Sequence, residues 1–458
     1  RQAEPDLLHR KRSRVSDSQS SAEGSSTDQP RDPQVLVDEP RNLIVLALFN
    51  VTLRFSWIFK TESVLIPRFM DVIDGSGFVR GFLPVLNRFG QSVVPLFLAD
   101  RLRRAPLKRR VLQATSTLMG ACFLSLAGLW YWLGEPVDGG APSWMPIAFL
   151  TIYVVFFFVS GMNQLALGTI QGKLIRANRR GRLLAVSGVT GSIVSITLAW
   201  FLLQRWLEHP LQLPGSGYVL IFGFAGAGFV LASLLTLPIR EPADNECPST
   251  ARKAKQAVSD AWEIFRHDQV FRRAAVVAML FITVQFLFPH FQAFGRSKLP
   301  KEEEGFHLML WVIAQNGAVG AFSWISGIIA DRYGNRLAIR IQVFLCTLTP
   351  LMALFLISDF IVEGHKCFWL AFIFLGLVPV TMKTFINYTL ELTDTANHPR
   401  YVSTMGLCFA VPFILSPLVG KLIDVIGFQP IFLAISGLIG VGALLTFRMA
   451  EPRHSQTS

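Results

Sequence analysis

Apolar residues in this chain neither alternate nor keep to a single stripe; they run for about 20 residues at a time, the length a helix needs to cross a bilayer, and they do so twelve times. Lipid offers the backbone no hydrogen-bond partner, so long unalternating apolar runs predict membrane-spanning helices. The expected spans are 43–66, 79–100, 111–133, 145–172, 183–204 and 217–238, then 273–294, 306–330, 337–358, 367–390, 401–423 and 428–448. The pattern therefore predicts an all-α integral membrane protein of twelve transmembrane helices in two six-helix bundles. Its expected divisions are a disordered cytoplasmic tail over 1–41, a first bundle over 42–238, a cytoplasmic linker over 239–272, a second bundle over 273–449 and a short tail over 450–458.

Composition agrees: 51% of residues are hydrophobic, 38 are Phe, and only 16% are charged, against about 25% in an ordinary soluble domain. The net charge of +12 is not a nucleic-acid footprint, because the basic residues collect in alternate short loops beside apolar spans. Arg101, Arg103, Arg104, Lys108, Arg109 and Arg110 lie between spans 2 and 3, and Lys173, Arg176, Arg179, Arg180 and Arg182 between spans 4 and 5. These loops are expected in the cytoplasm, as are both termini, and the expected location is a cytoplasmic (inner) membrane. The loop Phe294 to Gly305 runs against the trend with Arg296, Lys298 and Lys301, offset locally by Glu302, Glu303 and Glu304.

The first 41 residues are rich in Ser, Asp, Pro and Gln without apolar periodicity, which predicts a solvated tail rather than a signal peptide. The chain begins with Arg1 and not Met, so its natural start is expected to lie outside this sequence. Within the linker, Val258, Ala261, Trp262 and Phe265 share a helical face with Lys253, Lys255 and Arg266 off it, the pattern of an interfacial helix. Cys122, Cys346 and Cys408 fall in spans, Cys247 in the linker and Cys367 at an outer edge, which suggests no disulfide framework. No metal, cofactor or nucleotide motif occurs, Gly172-Lys173 and Gly420-Lys421 lacking the rest of a phosphate loop. No nucleophile or paired-acid constellation supports an enzyme, and Asn50-Val51-Thr52 and Asn387-Tyr388-Thr389 match the glycosylation pattern only inside spans.

One loop narrows the class. Gly327-Ile328-Ile329-Ala330-Asp331-Arg332-Tyr333-Gly334-Asn335-Arg336, at the end of span 8, resembles the G-x-x-x-D-R-x-G-x-R signature of the major facilitator superfamily. A degraded copy stands at the end of span 2 as Leu96-Phe97-Leu98-Ala99-Asp100-Arg101-Leu102-Arg103-Arg104, without either glycine. Gly420, Asp424 and Gly427 after span 11 resemble the family pattern weakly. An Asp at the C-terminal end of its own helix faces partial negative charge, so Asp331 and Asp100 need a partner such as another helix's N-terminus. The resemblance implies that Asp331 meets the start of span 5 near Gly181 and Arg182, and Asp100 the start of span 11 near Arg400 to Thr404, in an outward-open state. The alternative is that both are turn residues whose arginines only set topology.

The resemblance also implies that spans 1, 4, 7 and 10 line a central cavity. Charge at mid-membrane costs roughly 2.5–3.5 kcal/mol on insertion scales, so polar residues there are expected to face inward. Span 1 carries Asn50, Arg54, Trp57 and Thr61 on one stripe, with Lys60 and Glu62 beside it; span 4 carries Ser160, Asn163 or Gln164, and Gln171. In span 7, Gln285 and Gln292 bracket Pro289 with His290 off that line; span 10 carries Thr381, Thr384, Tyr388 and Glu391 beside Lys383 and Asn387. Arg88 in span 2 joins them, with Asn87 and Gln91 nearby. Each of these residues has a second reading as interhelical hydrogen bonding or snorkelling, and Lys60 with Glu62 as a local ion pair near the outer interface.

The cations Arg54, Arg88 and Lys383 outnumber central carboxylates, which suggests a small polar, anionic solute, with Glu62 or His290 as candidates for proton coupling. The expected protein is a monomeric secondary transporter working by alternating access in a lipid bilayer, with a proton as coupling ion and no nucleic-acid partner. Two alternatives stay open: proton-driven efflux of lipophilic compounds, against which span 5 lacks the Gly-Pro element of such antiporters, and a non-transporting sensor or scaffold of the same fold.

Overall fold

A computed structural model describes residues 33–134, 141–208, 216–244, 254–394 and 397–451. These residues are helical with short connections, and no strand occurs among them. Among the described residues eleven helices are long and apolar enough to cross a membrane. They are span 1 (Pro33–Ile58), span 3 (Lys108–Leu133), span 4 (Met145–Leu174), span 5 (Asn178–Glu208), span 6 (Gly217–Leu235), span 7 (Gln269–Arg296), span 8 (Lys301–Tyr333), span 9 (Asn335–Ile357), span 10 (Gly364–Glu391), span 11 (His398–Ile426) and span 12 (Phe428–Arg448). Span 2 (77–104) is the exception because it is broken: Gly77–Arg80, Phe82–Arg88, a π turn over Phe89–Val93, then Val94–Arg104.

Three boundaries differ notably from the sequence expectation. Residues 33–41, expected in a disordered tail, are the start of span 1, held by polar burial: Glu39 is fully buried and takes the Arg176 N–H at 3.0 Å and the Arg176 Nε–H at 2.7 Å, while Asn42 bonds Arg240. The rest of that tail, 1–32, and the tail 452–458 lie outside the described residues. At its other end span 1 stops at Ile58 rather than 66; the chain turns through 59–64 and restarts as the short helix Leu65–Ile73. Span 7 likewise begins at Gln269, within the expected linker, whose amphipathic segment is the helix Ala254–His267. There Trp262 is exposed and Ala261 and Ile264 are buried.

The two sets of six spans pair alike. Spans 3 and 6 pack as spans 9 and 12 do, 1 and 6 as 7 and 12, and 3 and 4 as 9 and 10. Each set is also tied on the face carrying the basic loops, called here the basic face. Glu241, following span 6, accepts the Lys108 and Arg109 N–H groups at the start of span 3 at 3.0 and 2.7 Å. Glu451, following span 12, pairs with Arg336 at the start of span 9 at 3.0 Å. A carboxylate satisfies a helix N-terminus and its positive dipole end in one contact. The Glu-Pro pairs Glu241-Pro242 and Glu451-Pro452 mark this repeat in the sequence.

Between the sets, close approach is concentrated on the face opposite the basic loops. Gly77 and Gly420 meet so tightly that a Cβ on Gly420 would stand 2.0 Å from the Gly77 carbonyl oxygen. Asp424 of span 11 accepts from the Gly77 and Phe78 N–H groups at 2.8 and 3.1 Å, and Glu208 of span 5 accepts from Phe306 N–H of span 8 at 2.7 Å. An ion-pair network joins the same face: Arg80 and Arg296 hold Asp71, the latter at 2.8 Å, and Arg68 and Arg296 hold Glu304. On the basic-face halves of spans 5, 8 and 11, by contrast, Gly181, Gly188, Gly327 and Gly406 have nothing within 4 Å of a built Cβ.

Candidate functional site

Four of the five spans that enclose the central cavity carry prolines, and two of those spans, 2 and 7, lose helical regularity beside it. Pro289 has no N–H for residue 285 and its ring crowds that carbonyl, and the turn before it becomes a 3-10 stretch, Ile282–Leu287. That stretch carries Gln285. In span 2 the π turn Phe89–Val93 precedes Pro95 and follows Asn87 and Arg88. Short 3-10 and π segments inside long helices re-aim side chains and recur at functional sites.

The cavity is about 310 Å³ and is walled by Arg54, Trp57, Lys60, Thr61 and Glu62 from span 1 and its turn, Asn87, Arg88 and Gln91 from span 2, Gln285 from span 7, Gln315 and Asn316 from span 8, and Pro379 from span 10. It therefore lies between the two sets of spans. Three cations stand in this wall against one carboxylate, Glu62.

Glu62 is already engaged. Lys60 Nζ lies 2.5 Å from its Oε1, and Asn87 Nδ2 bonds its Oε2. Lys60 is 1% exposed and sits among the rings of Trp57, Phe157 and Phe156 at 3.9, 4.5 and 4.7 Å. The pair is thus not at an outer interface, because span 1 ends early and folds its turn inward. A buried ammonium keeps its charge when it has both a carboxylate and aromatic faces. Arg88 has no such carboxylate: its Nε and Nη2 both donate to Gln285 Oε1, at 3.0 and 2.7 Å, and Nη2 also touches Met382 Sδ at 3.0 Å. Arg54 forms no ion pair among the described residues; its stem lies against Gly191 of span 5, where a Cβ would come within 3.2 Å of its Cδ. Lys383 of span 10, expected in the cavity, is exposed and stands outside this wall, within electrostatic range of Arg54, one cation from each half.

Other residues expected in the cavity are placed elsewhere. Asn163 is buried and donates to Ser116 at 2.8 Å and Thr115 at 3.0 Å, an interhelical bond to span 3. Gln164 is exposed and outside the cavity wall. Gln292 and His290 are fully buried in the last turns of span 7, beyond the Pro289 break and away from that wall. Tyr388 is fully buried and donates to the Ala450 carbonyl at 2.8 Å, fastening span 10 to the end of span 12. Asn387 is exposed one turn from Lys383 toward the basic face. Asn50 lies one turn from Arg54 on the same side, its Nδ2 buried without a hydrogen bond.

In the loop signature, Gly334 takes φ +89°, a backbone only glycine adopts without strain, and it turns the chain from span 8 into span 9. Asp331, Arg332 and Gly327 are exposed, Arg336 holds Glu451, and Arg101 is exposed. Nothing is described of the Asp100 side chain. Arg400, at the start of span 11 where Asp100 is expected to dock, pairs with Glu263 at 2.7 Å and Asp260 at 3.3 Å on the linker helix. Sequence reading missed Ser63, which bonds Gln315 across the halves, and the network of Arg68, Asp71, Arg80, Arg296 and Glu304. Ser63 sits in a turn that the apolar pattern assigns to span 1, and the charged residues sit at or beside span ends; the spacing Gly77-x-x-x-Gly81 is the one cue to a tight crossing on that face.

Comparison with known proteins gives the same architecture. A family model described as Major Facilitator Superfamily matches residues 212–393. No curated protein matches the sequence. Among solved structures, the nucleoside transporter NupG aligns with a TM-score of 0.66 at 13% identity, covering 89% of this chain and 98% of that one. A POT family transporter in complex with 5-aminolevulinic acid aligns at 0.68 and 13%, covering 89% and 96%. The xylose transporter XylE from E. coli, in a partially occluded inward open conformation, aligns at 0.62 and 11%, covering 89% and 99%.

Proposed function

We propose that this chain, which carries the fold of the major facilitator superfamily and matches that superfamily's model over 212–393, is a secondary transporter of a small anionic solute. The observation that carries the reading is the unbalanced charge of the cavity wall: Arg54 and Arg88 form no ion pair among the described residues, while Glu62 is spent on Lys60 and Asn87. Desolvated cations need a counter-charge, and a solute anion supplies it. Alternating access is supported by the close approach of the two sets at one face, where Gly77 and Gly420 meet, while Gly181, Gly188, Gly327 and Gly406 toward the other face have no close neighbour.

In this reading the basic face is cytoplasmic, the membrane is the inner one, the protein works as a monomer, and the structure represents the state open toward the cytoplasm. Glu62 is the candidate for proton coupling, since it is the carboxylate in the cavity wall and its protonation releases Lys60.

Equilibrium binding to the purified protein tests the charge requirement. Malonate is expected to bind, and its uncharged counterpart malonamide, similar in shape, is not; equal binding of the two removes the anionic reading. The pH dependence of malonate binding is expected to differ between the wild type and Glu62→Gln. An unchanged profile in Glu62→Gln removes Glu62 as the coupling group.

A further inference from the structure

Arg88 belongs to the first set of spans but is planted in the second. It is 9% exposed, and its hydrogen-bond partners Gln285 of span 7 and Met382 of span 10, with the Phe413 ring of span 11 centred 5.7 Å away, all come from across the interface. Glu62 acts on it only through space. A guanidinium this deeply buried is ordinarily met by an anion, and its Nε–Nη2 edge is shaped for two oxygens of a carboxylate or phosphate. Here both donors of that edge converge on a single neutral oxygen, Gln285 Oε1. Gln285 is itself 7% exposed, held in the 3-10 stretch ahead of Pro289, and lines the cavity beside Arg88.

We propose that Gln285 is a resident stand-in for the solute's anionic group: the solute takes the Nε–Nη2 edge of Arg88, displaces the Gln285 carbonyl oxygen, and so undoes a bond that ties the two halves together. This rests on the anionic reading above and adds the link between occupancy and movement. An anion gives the edge two charged acceptors for one neutral one, so the exchange is favourable when the solute arrives and reverses when it leaves. Only a ligand that interacts differently with two states can shift their balance, and here the difference is a cross-half hydrogen bond lost on binding.

The test uses the full chain in detergent or nanodiscs, with spin labels at Trp144 and Lys366 on the far face in a background without native cysteines, and malonate and inorganic phosphate as probes. In the wild type either anion is expected to lengthen the label distance. Gln285→Leu removes the competing oxygen: it is expected to bind malonate about tenfold more tightly, one hydrogen bond's worth, and to show part of the lengthening without ligand. Gln285→Glu installs a permanent carboxylate on Arg88 and is expected to lose anion binding while keeping the short distance. If the wild type binds neither anion, the anionic reading fails and this inference with it. If the wild type binds but Gln285→Leu binds equally or more weakly, Gln285 is a direct ligand or a bystander and this inference alone is overturned. Anion binding by Gln285→Glu at wild-type strength overturns it independently of any folding defect in the leucine variant.

Discussion

Replacing Arg54 or Lys383 by Gln is expected to weaken malonate binding by about 10- to 100-fold each, the worth of one or two hydrogen bonds to a charged group, while making the ligand-free protein more heat-stable. The second half of this expectation is the diagnostic one. The two side chains come from opposite halves and repel one another, and neither forms an ion pair among the described residues. Removing either charge therefore relieves a cost that the solute otherwise relieves. A cation that merely held the fold together would lose stability on neutralisation. Because the pair interact, the double variant should fall short of the sum of the singles in both stability and affinity. Melting curves with and without malonate for the four proteins of the cycle read out both quantities. Lower stability in both single variants, or unchanged affinity, would show that these cations do not form the solute site.

Gly420→Val is expected to force the opposite face apart. A Cβ there would lie 2.0 Å from the Gly77 carbonyl oxygen and 2.7 Å from its carbon, and one on Gly77 would lie 2.5 Å from the Gly420 oxygen. Backbone atoms cannot yield as a side-chain tip does, and overpacking typically costs about 1–3 kcal/mol. The same displacement pulls Asp424 from the Gly77 and Phe78 N–H groups that it caps. A difference of that size shifts a two-state population by about 5- to 150-fold, so the state closed at this face should become the minor one. Label distances between positions 144 and 366 should lengthen without ligand, whereas valine at Gly427, where nothing lies within 4 Å of a Cβ but φ is +83°, should cost stability without changing the distance. A wild-type distance in Gly420→Val would mean that this crossing is not what closes the face.

Most of the span register was legible because apolar length is a coarse signal that the bilayer itself imposes. Span 12 occupies 428–448 as expected, and several others differ by three residues or fewer. Where the register failed, local polar chemistry outweighed hydropathy. Span 1 starts at Pro33 because the buried Glu39 and Asn42 find partners in Arg176 and Arg240, just beyond spans 4 and 6, which no window over one helix could reveal. It ends at Ile58 because Lys60 and Glu62 pair with each other inside the cavity and turn the chain back. Arg54, Trp57, Arg88 and Gln285 were readable as cavity residues because an apolar span tolerates such groups only where they meet an interior. Asn163 and Tyr388 carried the same signal and proved to be fasteners within one half, since a stripe gives direction around a helix and not depth or partner. The Asp71, Arg296 and Glu304 network was hidden because its members sit at span ends, where charge is unremarkable in sequence and acquires meaning only when two ends meet.

The central claim is that two six-span halves alternate around a cavity whose cations require a solute anion. Uptake of radiolabelled malonate into liposomes containing only this protein, beside labelled malonamide, tests it most directly. The account predicts saturable malonate uptake, little malonamide uptake above protein-free liposomes, and loss of the malonate signal in Arg54→Gln. Equal entry of both solutes, or malonate uptake undiminished by Arg54→Gln, would contradict it.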